Sequence, residues 1–67
     1  MYKFSIDFVE GNKKYIPYFL KEIKTQGLIC GTEKDRFNDT VYHTHNLVAI
    51  KKVIEDYDGL ILDVHKK

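Results

Sequence analysis

Three side chains near the middle of the chain can bind metals or act as nucleophiles: those of Cys30, His43 and His45. Thiolate and imidazole groups are common zinc ligands, and a cysteine beside a histidine can become an activated nucleophile. His43 and His45 are two residues apart, so a β-strand would place both imidazoles on one face. The chemistry then depends on whether Cys30 lies on that face as well.

The segment that carries these residues has the pattern of a β-hairpin. Two β-prone runs, residues 28–32 and 40–44, flank a charged centre that contains asparagine and aspartate. A loop with an even number of residues places Cys30 opposite His43 or His45, whereas an odd loop places it opposite Tyr42 or Thr44. The sequence leaves both registers open. The competing interpretation is that Cys30 is an inert, small buried hydrophobe.

The segments before the hairpin predict a strand and a helix. Residues 2–9 alternate between apolar and polar side chains, as in a half-buried strand. Residues 14–26 carry an apolar stripe with helical spacing, and Gly27 suits the position after a helix end. Because proline is tolerated only in the first turn, Pro17 requires this helix to begin near residue 15 or 16. The alternative is a strand at residues 14–18 that returns along the first strand.

The segments after the hairpin repeat this pattern in reverse order. Asn46 is predicted to cap a helix at residues 47–58, Gly59 is predicted to end it, and residues 60–65 alternate again. The element order β-α-β-β-α-β over residues 1–67 predicts one small α+β domain. Right-handed crossovers place both helices on one face of the sheet. We therefore expect a ferredoxin-like two-layer sandwich with an antiparallel sheet in the order 4-1-3-2.

Composition argues against several classes of function but does not identify one. Eleven basic and ten acidic residues leave a formal net charge of +1, which provides no global attraction to nucleic acid or to anionic membranes. A single cysteine excludes an internal disulfide, and the N-terminal sequence has no apolar signal core. We expect a cytoplasmic protein with no cofactor and no membrane association. Motifs of common hydrolases, nucleotide-binding loops and zinc proteases are missing, so no catalysis is expected. The remaining catalytic interpretation is a carboxylate pair formed by Asp7 and Asp63.

The favoured hypothesis is a protein-binding module, such as an inhibitor, adaptor or regulatory subunit. It rests on the predicted hairpin tip, where Arg36, Phe37 and Asn38 combine the only arginine with a large aromatic side chain. The alternative conformation has Phe37 folded back over a helix end. A homodimer through a sheet edge or face is a further expectation, because strands 2 and 4 are both sheet edges and strand 2 has little protection against pairing beyond Glu33 and Lys34.

The main alternative is a nucleic-acid-binding protein. It would use the uncovered sheet face together with a lysine-rich first helix. The residues that this hypothesis assigns to the interface are Lys13, Lys14, Lys21, Lys24 and Tyr42.

Overall fold

The computed structural model describes residues 1–65, which form four strands, two α-helices and one short 3-10 turn at Lys13–Tyr15. The elements in chain order are β1 (Tyr2–Phe8), α1 (Ile16–Thr25), β2 (Gly31–Lys34), β3 (Thr40–Thr44), α2 (Leu47–Ile54) and β4 (Leu60–His65).

The four strands make one antiparallel sheet in the order β2-β3-β1-β4. This is the predicted order 4-1-3-2 counted from the other edge, and both helices pack on the same face. The predicted ferredoxin-like α+β sandwich is therefore confirmed. Strand β1 is central, and it pairs with β4 along six residue pairs from Lys3↔His65 to Phe8↔Leu60.

Helix α1 begins where Pro17 requires. The proline occupies the first turn, where its missing N–H is not needed, and Gly27 follows the helix with a φ of 71°. The alternative of a returning strand at residues 14–18 is wrong. Helix α2 has the predicted cap, because Asn46 Oδ1 accepts a hydrogen bond from the Ala49 N–H at 3.1 Å.

Two predicted boundaries are wrong. Helix α2 ends at Ile54 instead of residue 58, and the chain reaches β4 through consecutive turns. Strand β2 begins at Gly31 instead of residue 28, because Leu28 and Ile29 pack against the core before the strand pairing starts. In both cases the side-chain pattern that predicts the helix or strand covers more residues than the helical or strand backbone does.

The core lies between the helices and one face of the sheet. Phe4 is completely buried, and its ring stacks on Tyr42 with a centroid separation of 5.5 Å. The helices contribute the other fully buried large apolar side chains, which are Phe19, Ile23 and Ile50. No helix of residues 1–65 covers the opposite face of the sheet, which is called the open face below.

Neither helix within residues 1–65 combines the length and the apolar character needed to cross a bilayer.

Candidate functional site

The hairpin register decides whether Cys30 and the two histidines come together. The last pair before the loop is Lys34↔Thr40, so the loop consists of residues 35–39, an odd number. Gly31 is the residue opposite His43, and the same register places Cys30 beside Thr44. Because neighbouring residues of a strand point to opposite faces, Cys30 does not share the face of His43.

The metal or thiol site predicted at Cys30, His43 and His45 is therefore not assembled. Within residues 1–65, no group of three or more histidine, cysteine, aspartate or glutamate side chains is arranged to hold a metal ion. Cys30 is exposed, contrary to the inert buried interpretation, and its Sγ lies 3.7 Å from Met1 Sδ. His45 follows β3 and is exposed. The odd loop length, which the sequence left open, is the physical reason.

The predicted nucleic-acid surface is also divided. Tyr42 is only 8% exposed and stacks on Phe4 beneath the helices, so its assignment as an outward platform is wrong. Burial accordingly raises the pKa of its phenol above the ordinary value. The four lysines are exposed and belong to the 3-10 turn or to α1: Lys13, Lys14, Lys21 and Lys24. Of these, Lys13 alone borders a depression together with the open-face residues Ser5 and Asp63.

The open face carries a charged cluster that joins three strands. Glu33 Oε1 on β2 accepts hydrogen bonds from Lys3 Nζ on β1 and His43 Nε2 on β3, each at 3.0 Å. The bond from Lys3 is the main reason that the pKa of the Glu33 carboxyl lies below its ordinary value, and the bond from His43 adds to it. This cluster links side chains of β1, β2 and β3 at the surface of the sheet.

A second cluster on the open face consists of Ser5, Asp63 and His65. Ser5 Oγ lies 2.9 Å from His65 Nε2, and Asp63 Oδ2 lies 3.9 Å from the same nitrogen. A hydrolytic triad needs the hydroxyl at one ring nitrogen and the carboxylate at the other. Here both groups approach Nε2, so Asp63 does not orient the imidazole for proton transfer from Ser5. The cluster has the composition of a triad without its geometry.

Sequence reasoning missed this second cluster, although a signal for it was present. Ser5 and His65 are 60 residues apart along the chain and meet only because β1 pairs with β4. The register also separates the minor carboxylate pair, since Asp63 lies opposite Ser5 while Asp7 lies opposite Ile61. Asp7 Oδ1 instead accepts the Phe8 N–H at 2.9 Å. The predicted pairing of the fourth strand with the first was sufficient to place Ser5 and His65 on one face of the sheet.

The loop of the hairpin is held rigidly by Asp35. Its Oδ1 accepts the Phe37 N–H at 2.8 Å and the Asp39 N–H at 2.9 Å. Its backbone N–H donates to the Asp39 carbonyl, and its carbonyl accepts the Asn38 N–H, both at 3.0 Å. Asn38 adopts the left-handed conformation with a φ of 64°, which asparagine tolerates better than most residues. The loop is therefore a closed turn with a defined shape.

This closed turn presents Arg36, Phe37 and Asn38, which together are called the hairpin tip. Phe37 is 71% exposed, the largest exposed fraction among the large apolar side chains of residues 1–65. The Arg36 guanidinium carbon lies 4.9 Å from the centroid of the Phe37 ring, a cation–π distance. The alternative in which Phe37 folds over a helix end is wrong.

A broad depression of about 760 Å³ lies on the open face. Lys3, Glu33 and His65 border it, so it connects the two polar clusters, and Val41 contributes part of its apolar floor. It lies over the surface of the sheet instead of entering the core, whose large side chains are completely buried. The comparisons with known proteins found no family model, no curated protein and no solved structure that matches this chain.

Proposed function

We propose that this protein is a small binding module that recognises a protein partner with the hairpin tip, acting as an inhibitor, adaptor or regulatory subunit and not as a catalyst. The observation that carries the proposal is the 71% exposure of Phe37 on a loop whose backbone is closed by Asp35. A large aromatic ring in water has a free energy cost that a partner pocket would remove.

The rigidity of the loop supports binding in a second way. Ordering a flexible loop on association opposes affinity, and a loop that is already ordered avoids most of this loss. The hydrogen bonds of Asp35 to the Phe37 and Asp39 amides are present before any partner arrives. The tip is therefore prepared for rigid-body recognition.

The chemistry of the tip indicates what the partner must offer. Phe37 needs an apolar pocket, and Arg36 beside it needs carboxylates or carbonyl groups at the pocket rim. Aromatic and arginine side chains are the types most often found at the energetic centre of protein interfaces. We therefore expect a concave apolar pocket with an acidic rim on the partner.

The test is affinity capture from a lysate of the source organism, with four forms of the tagged protein and with nuclease treatment. The forms are wild type, Phe37→Ala, Arg36→Ala and Tyr18→Ala. Tyr18 is a matched control, because it is a 65% exposed aromatic residue that belongs to α1 and not to the hairpin loop. We expect wild type and Tyr18→Ala to retain one protein that Phe37→Ala loses and Arg36→Ala retains weakly.

Binding of the purified partner then gives the magnitude. Truncation of a central aromatic anchor costs on the order of 2 kcal/mol or more, which corresponds to roughly a 30-fold loss of affinity. Equal affinity of wild type and Phe37→Ala would contradict a role for the tip. Circular dichroism of each variant establishes that the fold is retained.

Nucleic-acid binding is the competing proposal, and one observation favours it. None of the four predicted lysines (Lys13, Lys14, Lys21 and Lys24) forms an ion pair with a residue in the described range 1–65. Titration against labelled single- and double-stranded oligonucleotides at two salt concentrations tests it, because phosphate contacts give a steep salt dependence. Binding that weakens steeply with salt, together with captured material that disappears after nuclease treatment, would favour this alternative over the protein partner.

A further inference from the structure

Strand β4 forms one edge of the sheet and differs from the other edge strand in length and charge. It spans six residues, Leu60–His65, whereas β2 spans four, Gly31–Lys34. Half of β2 is charged, through Glu33 and Lys34, and charged side chains discourage edge pairing. Between its ends β4 carries one carboxylate, Asp63, and Ile61 on it is 49% exposed.

The backbone of β4 directs alternate hydrogen-bonding groups away from the sheet. Val9 N–H donates to the Gly59 carbonyl at 2.7 Å, so odd-numbered residues of this strand face β1. Even-numbered residues consequently direct their N–H and carbonyl groups toward the free edge. In agreement, the Leu60 N–H bonds to the Tyr57 carbonyl and not to β1. Leu62 and Val64 thus have backbone donors and acceptors available for another strand.

We propose that β4 pairs with β4 of a second copy of this chain, antiparallel about a two-fold axis at Leu62. In this arrangement Leu62 faces Leu62 of the second copy, Leu60 faces Val64 of the second copy, and the two sheets become one continuous eight-stranded sheet. The proposal concerns the edge opposite the hairpin tip and stands independently of the proposed function.

Charge and length select this register from the alternatives. A residue whose backbone groups point to the free edge must lie opposite a residue of the same kind in the second copy. A register centred on Leu62 meets this condition and pairs all five residues from Leu60 to Val64. Centring on Ile61 or on Val64 pairs only three residues of Leu60–His65. Centring on Asp63 pairs five but brings two Asp63 carboxylates directly opposite each other, which is unfavourable. With Leu62 at the centre, Asp63 instead faces Ile61 of the second copy.

A second copy fits this edge because the edge is complementary to itself. The helix-side residues Leu60, Leu62 and Val64 would lie beside the same residues of the second copy, which extends the apolar layer across the interface. A domain of this size buries only about 60% of the surface of its unfolded chain, so added burial is a substantial gain. The spare N–H and carbonyl groups of Leu62 gain partners at the same time, and the Val64 N–H gains the Leu60 carbonyl of the second copy.

Light scattering coupled to size-exclusion chromatography, over a wide range of concentrations, tests the dimer. Wild type is expected to approach twice its chain mass of 7.9 kDa as concentration rises. Ile61→Glu places a carboxylate directly opposite Asp63 of the second copy, and this repulsion is expected to give a monomer. Val48→Glu is the matched control on α2, where an exposed valine lies away from this edge, and it is expected to dimerise as wild type does. A monomeric wild type, or a dimer unaffected by Ile61→Glu, overturns the proposal.

A cross-linking experiment tests the register and does not depend on whether the Ile61→Glu variant folds. In a Cys30→Ser background, one protein carries Ile61→Cys and the other carries Asp63→Cys. These positions form a directly opposed, non-hydrogen-bonded pair, at a Cα separation of about 4.5 Å that suits a disulfide. Like positions are diagonal, at about 7–8 Å. The mixture is expected to form the disulfide between unlike chains well above the yield of either protein alone. A mixture that yields only disulfides between like chains, or none, overturns the register.

Discussion

The hairpin loop and the β4 edge expose different parts of the polypeptide. In the hairpin loop the backbone groups are bonded within the loop, chiefly through Asp35, and the exposed feature is one side chain, Phe37. At the β4 edge the feature available to a partner is the backbone, through the N–H and carbonyl groups of Leu62 and Val64. Recognition by a side chain selects a shaped pocket, whereas recognition by backbone accepts another strand. The difference supports the separate roles proposed for the hairpin loop and for β4.

These two roles reinforce each other when they are combined. A dimer through β4 places the two hairpin tips at the far ends of a continuous sheet, since β2 and β4 are opposite edges of the order β2-β3-β1-β4. Two tips on one rigid body allow simultaneous binding to a partner that presents two pockets. The second contact then forms at a high effective concentration, so the overall affinity exceeds that of a single tip.

The largest effect on the free energy of unfolding is expected from truncating Phe4, the core residue that contacts the strands on both sides of β1. Phe4 is completely buried, stacks on Tyr42 of β3 and lies opposite Val64 of β4. Phe4→Ala should lower the free energy of unfolding by about 3–5 kcal/mol, a large fraction of the stability of a small domain. Urea unfolding followed by circular dichroism measures it. Phe8→Ala is the control on the same strand, and its partial exposure should make its loss clearly smaller. Equal losses would argue against Phe4 as the common support.

A smaller effect is expected at the hairpin edge alone. Asp35→Ala removes the acceptor of the Phe37 and Asp39 amides, and each of these surface hydrogen bonds contributes about 0.5–1.5 kcal/mol. Partner binding should weaken although Arg36 and Phe37 are unchanged, while dimerisation through β4 should not. Asp39→Ala is the control, because within residues 1–65 its carboxylate accepts none of the loop hydrogen bonds. Unchanged partner binding by Asp35→Ala would show that loop rigidity is unimportant.

Asn38 separates the shape of the tip from its side-chain chemistry. With its φ of 64°, Asn38→Gly keeps the loop conformation, whereas Asn38→Val forces a branched side chain into the left-handed region at a cost of about 1–2 kcal/mol. We expect thermal unfolding to be nearly unchanged for Asn38→Gly and clearly lower for Asn38→Val. If Asn38→Gly also retains partner binding, Asn38 contributes conformation and not contact. Equal stability of the two variants would contradict the role of the left-handed residue.

Helix starts and strand faces that depend on a few neighbouring residues were predictable from the sequence. Alternation in β1 placed Phe4 in the core, Pro17 set the start of α1, and Asn46 set the start of α2. The start of β2 was not predictable, because Leu28 and Ile29 are equally suited to a strand and to packing beneath one. Nothing in residue type distinguishes those two environments.

The candidate sites depended on register, which sequence determines weakly. One residue more or less in the hairpin loop moves Cys30 to the other face relative to His43, and the loop length follows from the bonds of Asp35 and the conformation of Asn38. The hairpin tip was easier to predict, because a turn of any length leaves Phe37 near its end. Its exposure and its contact with Arg36 still required the structure.

The smallest predicted effect is a pH dependence at the hairpin edge. Hydrogen bonds from Lys3 and His43 hold the pKa of Glu33 below its ordinary value, so the folded state binds a proton at this group less readily than the unfolded state does. The stabilisation is therefore present above the unfolded pKa and is lost as the pH falls through the folded pKa. Because Glu33 is at the surface, the effect is also expected to weaken with added salt.

Thermal unfolding from neutral to acid pH, compared between wild type and Glu33→Gln, isolates this contribution. The advantage of wild type over Glu33→Gln should be greatest near neutral pH and should shrink as the pH falls into the carboxyl range. Glu10→Gln is the control, since this exposed glutamate forms no ion pair with the described residues 1–65, and its difference from wild type should vary less with pH. A constant difference between wild type and Glu33→Gln would show that the cluster joining β1, β2 and β3 adds no pH-dependent stability, leaving Asp35 as the main polar restraint at the hairpin edge.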